Sequence, residues 1–121
     1  MDEMEAAMAL VEKWRSQSRK GFLDMCALSL LASRDESYGL DMMEALAQAG
    51  LEVSEGTLYP LLARMTREGS LASSWTTPDT GHPRKYYRLT KTGVKFLEAR
   101  IAEWKEFTAA IERLMEKEKN Q

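Results

Sequence analysis

The chain has one pair of strand-like runs in a sequence whose other apolar residues recur at helical spacing. Residues 71–77 and 84–90 are rich in β-branched, aromatic and small polar side chains, and residues 78–83 between them are typical of a turn. These features predict a single β-hairpin. Because helical patterns precede and follow it, the predicted fold class is mainly α with a small β-hairpin.

Apolar spacing places the first helices before residue 50. Residues 4–15 and residues 21–33 each carry apolar side chains every three or four positions, which predicts two amphipathic segments. The pattern leaves open whether the first of them is a separate helix or extends the next one. A further helix is predicted over residues 38–49, with Ser37 as its N-cap and Gly50 as its stop.

Another helix is predicted to begin after Ser54 and to end at Gly69, immediately before the hairpin. Its inward face is predicted from four apolar residues at helical spacing: Leu58, Leu61, Leu62 and Met65. Pro60 lies inside this helix, where the missing backbone hydrogen bond should bend the axis. Thr90 can cap a long final helix over residues 91–118. This order of helices and hairpin predicts a winged helix-turn-helix.

The composition is that of a single globular domain. Of 121 residues, 44% are hydrophobic and 30% are charged, which indicates a folded chain with one modest core. The acidic start does not match a signal peptide, and the apolar run over residues 22–32 is too short to span a membrane. One cysteine excludes an internal disulfide framework. We therefore expect a soluble, cytoplasmic protein.

Charge is unevenly distributed along the chain. The formal net charge is −2, but residues 54–95 carry seven basic and three acidic side chains. Residues 1–53 carry five basic and ten acidic side chains. A basic segment next to acidic ones favours contact with a polyanion in the middle of the chain. Chance clustering on a solvated surface is the alternative.

The second helix of a helix-turn-helix lies in the major groove, with its amino-terminal residues at the base edges. Gly56 would let the start of this helix approach a phosphate closely, and Tyr59 could donate a hydrogen bond to one. Arg64 and Arg67 are expected to supply positive charge along the same flank as Tyr59. The predicted DNA contacts of this helix are Ser54, Glu55, Gly56, Thr57, Tyr59, Arg64 and Arg67.

The hairpin adds basic residues next to this helix. Arg84 and Lys85 are expected to contact the DNA backbone, and His82, the only histidine, could reach a phosphate from the tip. Strand alternation sends Tyr86 and Tyr87 to opposite faces, so that one of them should pack on the domain. Because the chain has one histidine, one cysteine and no glycine-rich phosphate loop, we expect no enzyme activity, no cofactor and no metal site.

Two stretches, EGTLYPLLARMTREGSL and TGHPRKYYRLTKTG, resemble the PadR family of bacterial transcriptional regulators. GFLDMCALSLLASRDESYGLDMMEAL is also similar to the opening helices of that family, so the resemblance covers about residues 20–115. It implies a winged helix-turn-helix with a carboxy-terminal dimerisation helix, usually in a repressor that a small molecule releases. It further implies that Pro60 is tolerated in the recognition helix and that Tyr59, Arg84 and Lys85 contact DNA.

The predicted last helix carries an apolar row that is too long for one small domain to cover. The row has spacings of three and four through Leu97, Ile101, Trp104, Thr108, Ile111 and Met115. About 28 residues extend roughly 42 Å, so the row should contact a second copy and form a homodimer on a palindromic operator. Packing against the amino-terminal helix of the same chain is the alternative. We divide the chain into residues 1–18 (dimer support), 19–90 (DNA binding) and 91–121 (dimerisation).

A tryptophan near a two-fold axis would lie beside its own copy, and two indole rings can enclose a flat apolar molecule. The resemblance to the PadR family implies that this molecule is a planar aromatic effector. Trp104 is the candidate, and Met8 and Val11 would join it if the first helix packs there. A role for Trp104 in the core is the alternative. The sequence thus predicts a sequence-specific, DNA-binding homodimer, a repressor released by a ligand. A winged-helix protein-interaction module that does not bind DNA is the other function considered.

Overall fold

The computed structural model of the chain describes residues 1–79 and 81–119. The helices and strands of these residues are α1 (Glu3–Ala32), β1 (Ser37–Tyr38), α2 (Gly39–Gln48), α3 (Glu55–Arg67), β2 (Leu71–Thr76), β3 (Arg84–Leu89) and α4 (Lys91–Lys119). The predicted fold class, mainly α with a small β-hairpin and a long last helix, is confirmed. Within the described ranges, no helix has an apolar stretch long enough to cross a membrane.

The sequence pattern leaves open whether the two helical segments before residue 34 are separate, and the structure joins them in one continuous helix, α1, of 30 residues. Asp2 caps it by accepting a hydrogen bond from the amide three positions on, at 2.7 Å. Residues 16–21 contain no proline that would break the helix. Side chains are buried only from Leu23 onwards, and of the first 17 residues all but the half-buried Val11 are exposed. The first half of α1 therefore extends away from the core.

One hydrophobic core joins all four helices to the sheet. Its buried side chains are Leu23, Ala27, Leu28, Leu31, Met42, Leu46, Leu58, Leu62, Met65, Leu71, Tyr87 and Leu97. The inward face predicted for the helix before the hairpin is confirmed, with Leu61 half-buried against this core. Burying one such leucine stabilises the fold by about 1.5–3 kcal/mol. The shared core therefore holds the helices and the sheet in one arrangement.

Two predicted helix caps differ from the structure. Ser37 does not cap α2; it is buried in β1 and accepts a hydrogen bond from the Arg34 guanidinium at 3.4 Å, while Tyr38 takes the N-cap position. Ser54 is at the N-cap position of α3, but its hydroxyl bonds to the Thr57 hydroxyl at 3.2 Å instead of capping a backbone amide. The first difference arises because the pairing of β1 takes Ser37 into the sheet.

The predicted helix stops are confirmed. Gly50 and Gly69 have φ angles of +92° and +89°, in the left-handed region that glycine adopts without a Cβ penalty. After each of them, the next amide donates to the carbonyl five positions earlier, at 2.8 and 3.0 Å. The helix between these two turns, α3, continues through the exposed Pro60.

The strands form an antiparallel sheet in the order β1-β3-β2. β2 and β3 make the predicted hairpin, and each is one residue shorter than the predicted run. Thr80, in the predicted tip, lies outside the described residues. β1 has two residues and pairs Ser37 with Tyr87. The sequence did not predict it, because two residues carry no strand periodicity.

The start of α4 is attached to the end of α3. Thr90 caps α4 as predicted, since its hydroxyl accepts from the Gly93 amide at 2.9 Å. The same hydroxyl donates to the carbonyls of Gly69 and Ser70. A Cβ on Gly93 would lie 2.0 Å from the Ser70 carbonyl oxygen, so glycine is required for this close approach.

Arg100 joins α4 to α1. Its guanidinium donates to the Gly21 carbonyl at 2.8 Å and to the Asp24 carboxylate at 3.4 Å, and it lies 5.5 Å from the centre of the Phe22 ring. Both members of the Arg100–Asp24 ion pair have only 20% of their side chains exposed, so solvent screens this pair less than a surface pair. α4 therefore meets α1 near residues 21–24, where the buried part of α1 begins.

Candidate nucleic-acid interface

α3 presents a row of mostly short side chains opposite its buried face. At about 100° per residue, the residues farthest from the buried leucines are Gly56, Pro60, Ala63 and Arg67. We call these four residues the groove row; Ala63 is half-buried and the others are exposed. The short side chains let the backbone of α3 approach another surface closely, and Arg67 adds a positive charge. These properties suit the major groove of DNA.

The first turn of α3 offers backbone donors to an anion. Ser54, Glu55 and Thr57 are exposed, and the Ser54 hydroxyl is bonded to Thr57 rather than to a backbone amide. The first amides of α3 therefore have no side-chain cap from Ser54, and a helix N-terminus of this kind favours a phosphate. The Glu55 carboxylate would repel a phosphate, but a negative charge in the first turn also interacts favourably with the positive end of the helix dipole.

Tyr59 is half-buried over the start of α2. Its ring lies so close to Gly39 that a Cβ built there would be 2.2 Å from a ring carbon. Burial raises the pKa of Tyr59, and the nearby Glu55 and Tyr38 raise this pKa further. The phenol therefore stays protonated at neutral pH and can donate a hydrogen bond to a phosphate.

The structure corrects the expected flank of Arg64. Five residue steps at about 100° each place Arg64 about 140° around α3 from Tyr59, so the two are not on one flank. Arg64 donates to Glu68 at 3.2 Å and lines a small depression that also includes Asp24 and the start of α4. Arg67 belongs to the groove row instead. Of the two arginines, Arg67 has the better position for a DNA contact.

The wing, formed by β2, β3 and their connection, holds two of its basic side chains, Arg84 and Lys85, against aromatic rings. The Arg84 guanidinium lies 4.9 Å from the centre of the Tyr38 ring, which is 5.8 Å from the Tyr86 ring. On the other face, Lys85 Nζ lies 5.7 Å from the centre of the Tyr87 ring. The predicted alternation is confirmed, since Tyr87 is buried and Tyr86 is half-buried. Contacts between cations and ring faces position these charges without neutralising them.

His82 is exposed in the connection at the end of the wing. This position agrees with the expectation of a turn residue, and its contact with a phosphate stays a prediction. Across residues 1–79 and 81–117, no group of three His, Cys, Asp or Glu side chains is arranged to hold a metal ion.

Two aromatic residues beside the predicted contacts were missed by the sequence reasoning. Tyr38 lies under Arg84 and next to Tyr86, because β1 pairs with β3. No spacing in the sequence indicates that pairing. Trp75 lies on β2 directly opposite Lys85, and hairpin register could have indicated it once the turn was fixed.

The residues predicted for dimerisation divide into two groups along α4. Leu97 is buried and Ile101 is half-buried against the core of the same chain. Thr108 is half-buried, and its hydroxyl donates to the Trp104 carbonyl at 2.8 Å. Farther along, large apolar side chains are exposed, and we call them the apolar row of α4: Trp104, Phe107, Ile111, Leu114 and Met115.

Trp104 also lines an apolar depression of about 510 Å³ between α1, α2 and α4. Met25, Leu30 and Leu46 form parts of its wall. Met8 and Val11 do not line this depression, because they lie in the half of α1 that extends away from the core. The three predicted effector contacts are therefore not brought together within one chain.

The sequence pattern of the Transcriptional regulator PadR-like family matches residues 27–99, more than half of the chain. The chain belongs to this PadR-like family. The matched residues include the helix-turn-helix, the wing and the start of α4. The family resemblance of the sequence motifs is thus confirmed.

Solved PadR-like structures have the same fold. A PadR family transcriptional regulator from Eggerthella lenta DSM 2243 is 34% identical, with a TM-score of 0.84 over 92% of this chain and 96% of that one. A PadR-like transcription factor from Bacteroides fragilis is 40% identical, with a TM-score of 0.72 over 84% and 98%. A transcriptional regulator from Mycobacterium tuberculosis is 39% identical over 62 residues, 51% of this chain and 57% of that protein. This PadR-like chain is a winged-helix, DNA-binding transcriptional regulator.

The close contact between Gly39 and Tyr59 can be tested with a double-mutant cycle. Gly39→Ala is expected to lower the free energy of unfolding by about 1–3 kcal/mol, because the new methyl group overlaps the Tyr59 ring. In a Tyr59→Ala background, the same change should cost much less. Urea unfolding curves of the wild type, the two single variants and the double variant, recorded at one protein concentration, measure this coupling.

Gly21→Ala is the matched control, since it is also in a helix but no heavy atom lies within 4 Å of the built Cβ. It should leave stability unchanged or raise it slightly. An equal loss for Gly39→Ala with and without the Tyr59 ring would contradict the assigned contact.

Proposed function

We propose that this PadR-like chain acts in the cytoplasm as a homodimeric repressor. The dimer binds a palindromic operator sequence-specifically and is released by a planar aromatic effector. The observation that carries the proposal is the combination of the groove row on α3 with cations on the neighbouring wing. A helix that can enter a groove and a wing that can contact the adjacent backbone together match the shape and charge of a DNA duplex.

Base contacts and phosphate contacts have different candidates in this arrangement. Glu55 and Thr57, at the exposed start of α3, are the candidates for base edges, where Glu55 could accept from a cytosine amino group. Gly56 and the first amides of α3 suit a phosphate. Further phosphate contacts are proposed for Ser54, Tyr59, Arg67, His82, Arg84 and Lys85.

Dimerisation is supported by the apolar row of α4. α4 has 29 residues, which corresponds to about 44 Å, and large apolar side chains remain exposed along its second half. A second copy that covers this row would form a two-fold dimer. Such a dimer would hold two copies of α3 about one turn of DNA, ~34 Å, apart, and a palindromic operator would match its symmetry.

The effector site is proposed at the dimer interface beside Trp104. This residue is 38% exposed and belongs both to the apolar row of α4 and to the wall of the depression. A partner helix packed on the apolar row would therefore close one side of an apolar space of about 510 Å³. Indole rings and aliphatic walls suit a flat aromatic molecule. Met8 and Val11 would join the site only through the partner.

DNA binding is tested with three arginine variants on a duplex from the promoter upstream of the chain's own gene. Arg67→Gln and Arg84→Gln should each weaken binding by about tenfold and lower the salt slope of log K by about one, because each removes a phosphate contact. Arg64→Gln is the matched control and should change binding much less, since Arg64 is paired with Glu68. Fluorescence anisotropy at several salt concentrations measures these effects.

A wild-type chain that binds this promoter and neighbouring operons no tighter than random duplex would contradict sequence-specific repression. Unchanged regulation in cells carrying Arg67→Gln and Arg84→Gln would instead favour the protein-interaction module.

The dimer is tested by placing a charge in the apolar row of α4. Ile111→Glu should convert the dimer to a monomer at micromolar concentration, because the new carboxylate would be buried at the interface. Ala102→Glu introduces the same charge on the exposed opposite side of α4 and should remain dimeric. Sedimentation velocity separates the two results. A dimer that survives Ile111→Glu would place the interface elsewhere.

The effector site is tested with Trp104→Ala. This variant should lose binding of planar aromatic compounds to a greater degree than it loses DNA binding, because the indole forms a wall of the proposed site. Trp75→Ala is the control for effector binding, since Trp75 is exposed on β2 and does not line the depression. A thermal-shift and fluorescence screen of aromatic compounds provides the measurement. Wild-type tryptophan emission that stays unchanged across a broad panel would count against the site.

A further inference from the structure

Trp75 is an exposed tryptophan on the wing. It is 65% exposed on β2, and its direct partner across the hairpin is Lys85 of β3. Exposed apolar residues are common on protein surfaces, so exposure alone assigns no role to this ring.

The ring lies on the face of the wing that continues from the core. Strand alternation puts Leu71 and Trp75 on one face of β2, and Leu71 is buried. The same face of β3 carries Tyr87, which is buried and whose pKa is raised by burial and by the neighbouring Tyr59 of α3. This face therefore begins beside α3 and continues outward along the wing to Trp75.

Lys85 is held between two aromatic rings on this face. Its Nζ lies 5.7 Å from the ring centre of Trp75 and 5.7 Å from that of Tyr87, and the residue is half-buried. Within the described part of the chain, no carboxylate forms a salt bridge with it. The ammonium is thus positioned without being neutralised, and it loses less side-chain entropy than a free lysine when it meets an anion.

We propose that Trp75 and Lys85 contact the DNA backbone between α3 and the wing, with the indole packed on deoxyribose and the ammonium beside the adjacent phosphate. This inference rests on the DNA binding proposed above and adds an apolar contact to it. The backbone presents sugar carbons next to a charged phosphate, which matches an indole next to an ammonium. In this contact neither group would reach a base edge, so it would add affinity without sequence preference.

Binding measurements on the promoter duplex and on a random duplex of equal length test this contact. Trp75→Ala should weaken binding to both by about tenfold, whereas Trp75→Phe, which keeps a ring, should retain most of the affinity. Lys85→Gln should also weaken both and lower the salt slope by about one. Because Trp75 is exposed, Trp75→Ala should keep the thermal midpoint of the wild type, which separates a lost contact from unfolding.

Tryptophan emission gives a second readout. DNA should change the emission of the wild-type protein and of Trp14→Phe, but that change should disappear in Trp75→Phe. Wild-type affinity in Trp75→Ala, or a wild-type emission change in Trp75→Phe, would overturn the contact and leave the proposed regulator intact. Loss of a protein partner in Trp75→Ala, with DNA affinity unchanged, would also overturn it and assign the surface to protein binding.

Failure of the proposed function has a different signature. In that case the wild type itself would not prefer the promoter over the random duplex. The Trp75 variants would still test the backbone contact on the random duplex, because the contact is independent of sequence.

Discussion

Burial of one face of α3 is the constraint on which the interface depends. Leu58, Leu62 and Met65 are buried in the shared core, and moving them out would expose three apolar side chains at about 1.5–3 kcal/mol each. The rotation of α3 is therefore fixed, and the groove row faces outward as a consequence. Function in this chain is thus set by packing, because the core decides which side chains are left for DNA.

A second constraint joins the DNA-binding part to the apolar row of α4. The Thr90 hydroxyl donates to the carbonyls of Gly69 and Ser70, which follow α3, and accepts from the Gly93 amide in the first turn of α4. Gly93 also allows α4 to begin against the backbone of Ser70. Arg100 then attaches α4 to α1 through Asp24. These contacts fix the direction in which α4 leaves the domain. In the proposed dimer, the same direction would determine the separation of the two copies of α3.

Much of the fold could be predicted because it depends on local patterns. The stops at Gly50 and Gly69, the cap at Thr90 and the alternation of Tyr86 and Tyr87 follow from backbone preferences and periodicity, and the structure agrees with each. The candidate site was less predictable. The predicted flank of Arg64 was wrong because five helical steps place it about 140° around α3 from Tyr59, where it lies beside Glu68 and the start of α4. The ring beneath Arg84 was missed because it comes from the pairing of a distant two-residue strand.

The sequence by itself determined the fold class, the PadR-like family and the basic segment that contains the proposed DNA contacts. Helical periodicity, turn residues and local charge are all properties of neighbouring residues, so a single sequence carries them. Only the tertiary structure decided that Ser37 lies in a strand, that the Tyr38 ring lies beside Arg84 and that Arg100 joins α4 to Asp24 of α1. Those outcomes depend on long-range contacts, in which burial and strand pairing outweigh the local preference of any one segment.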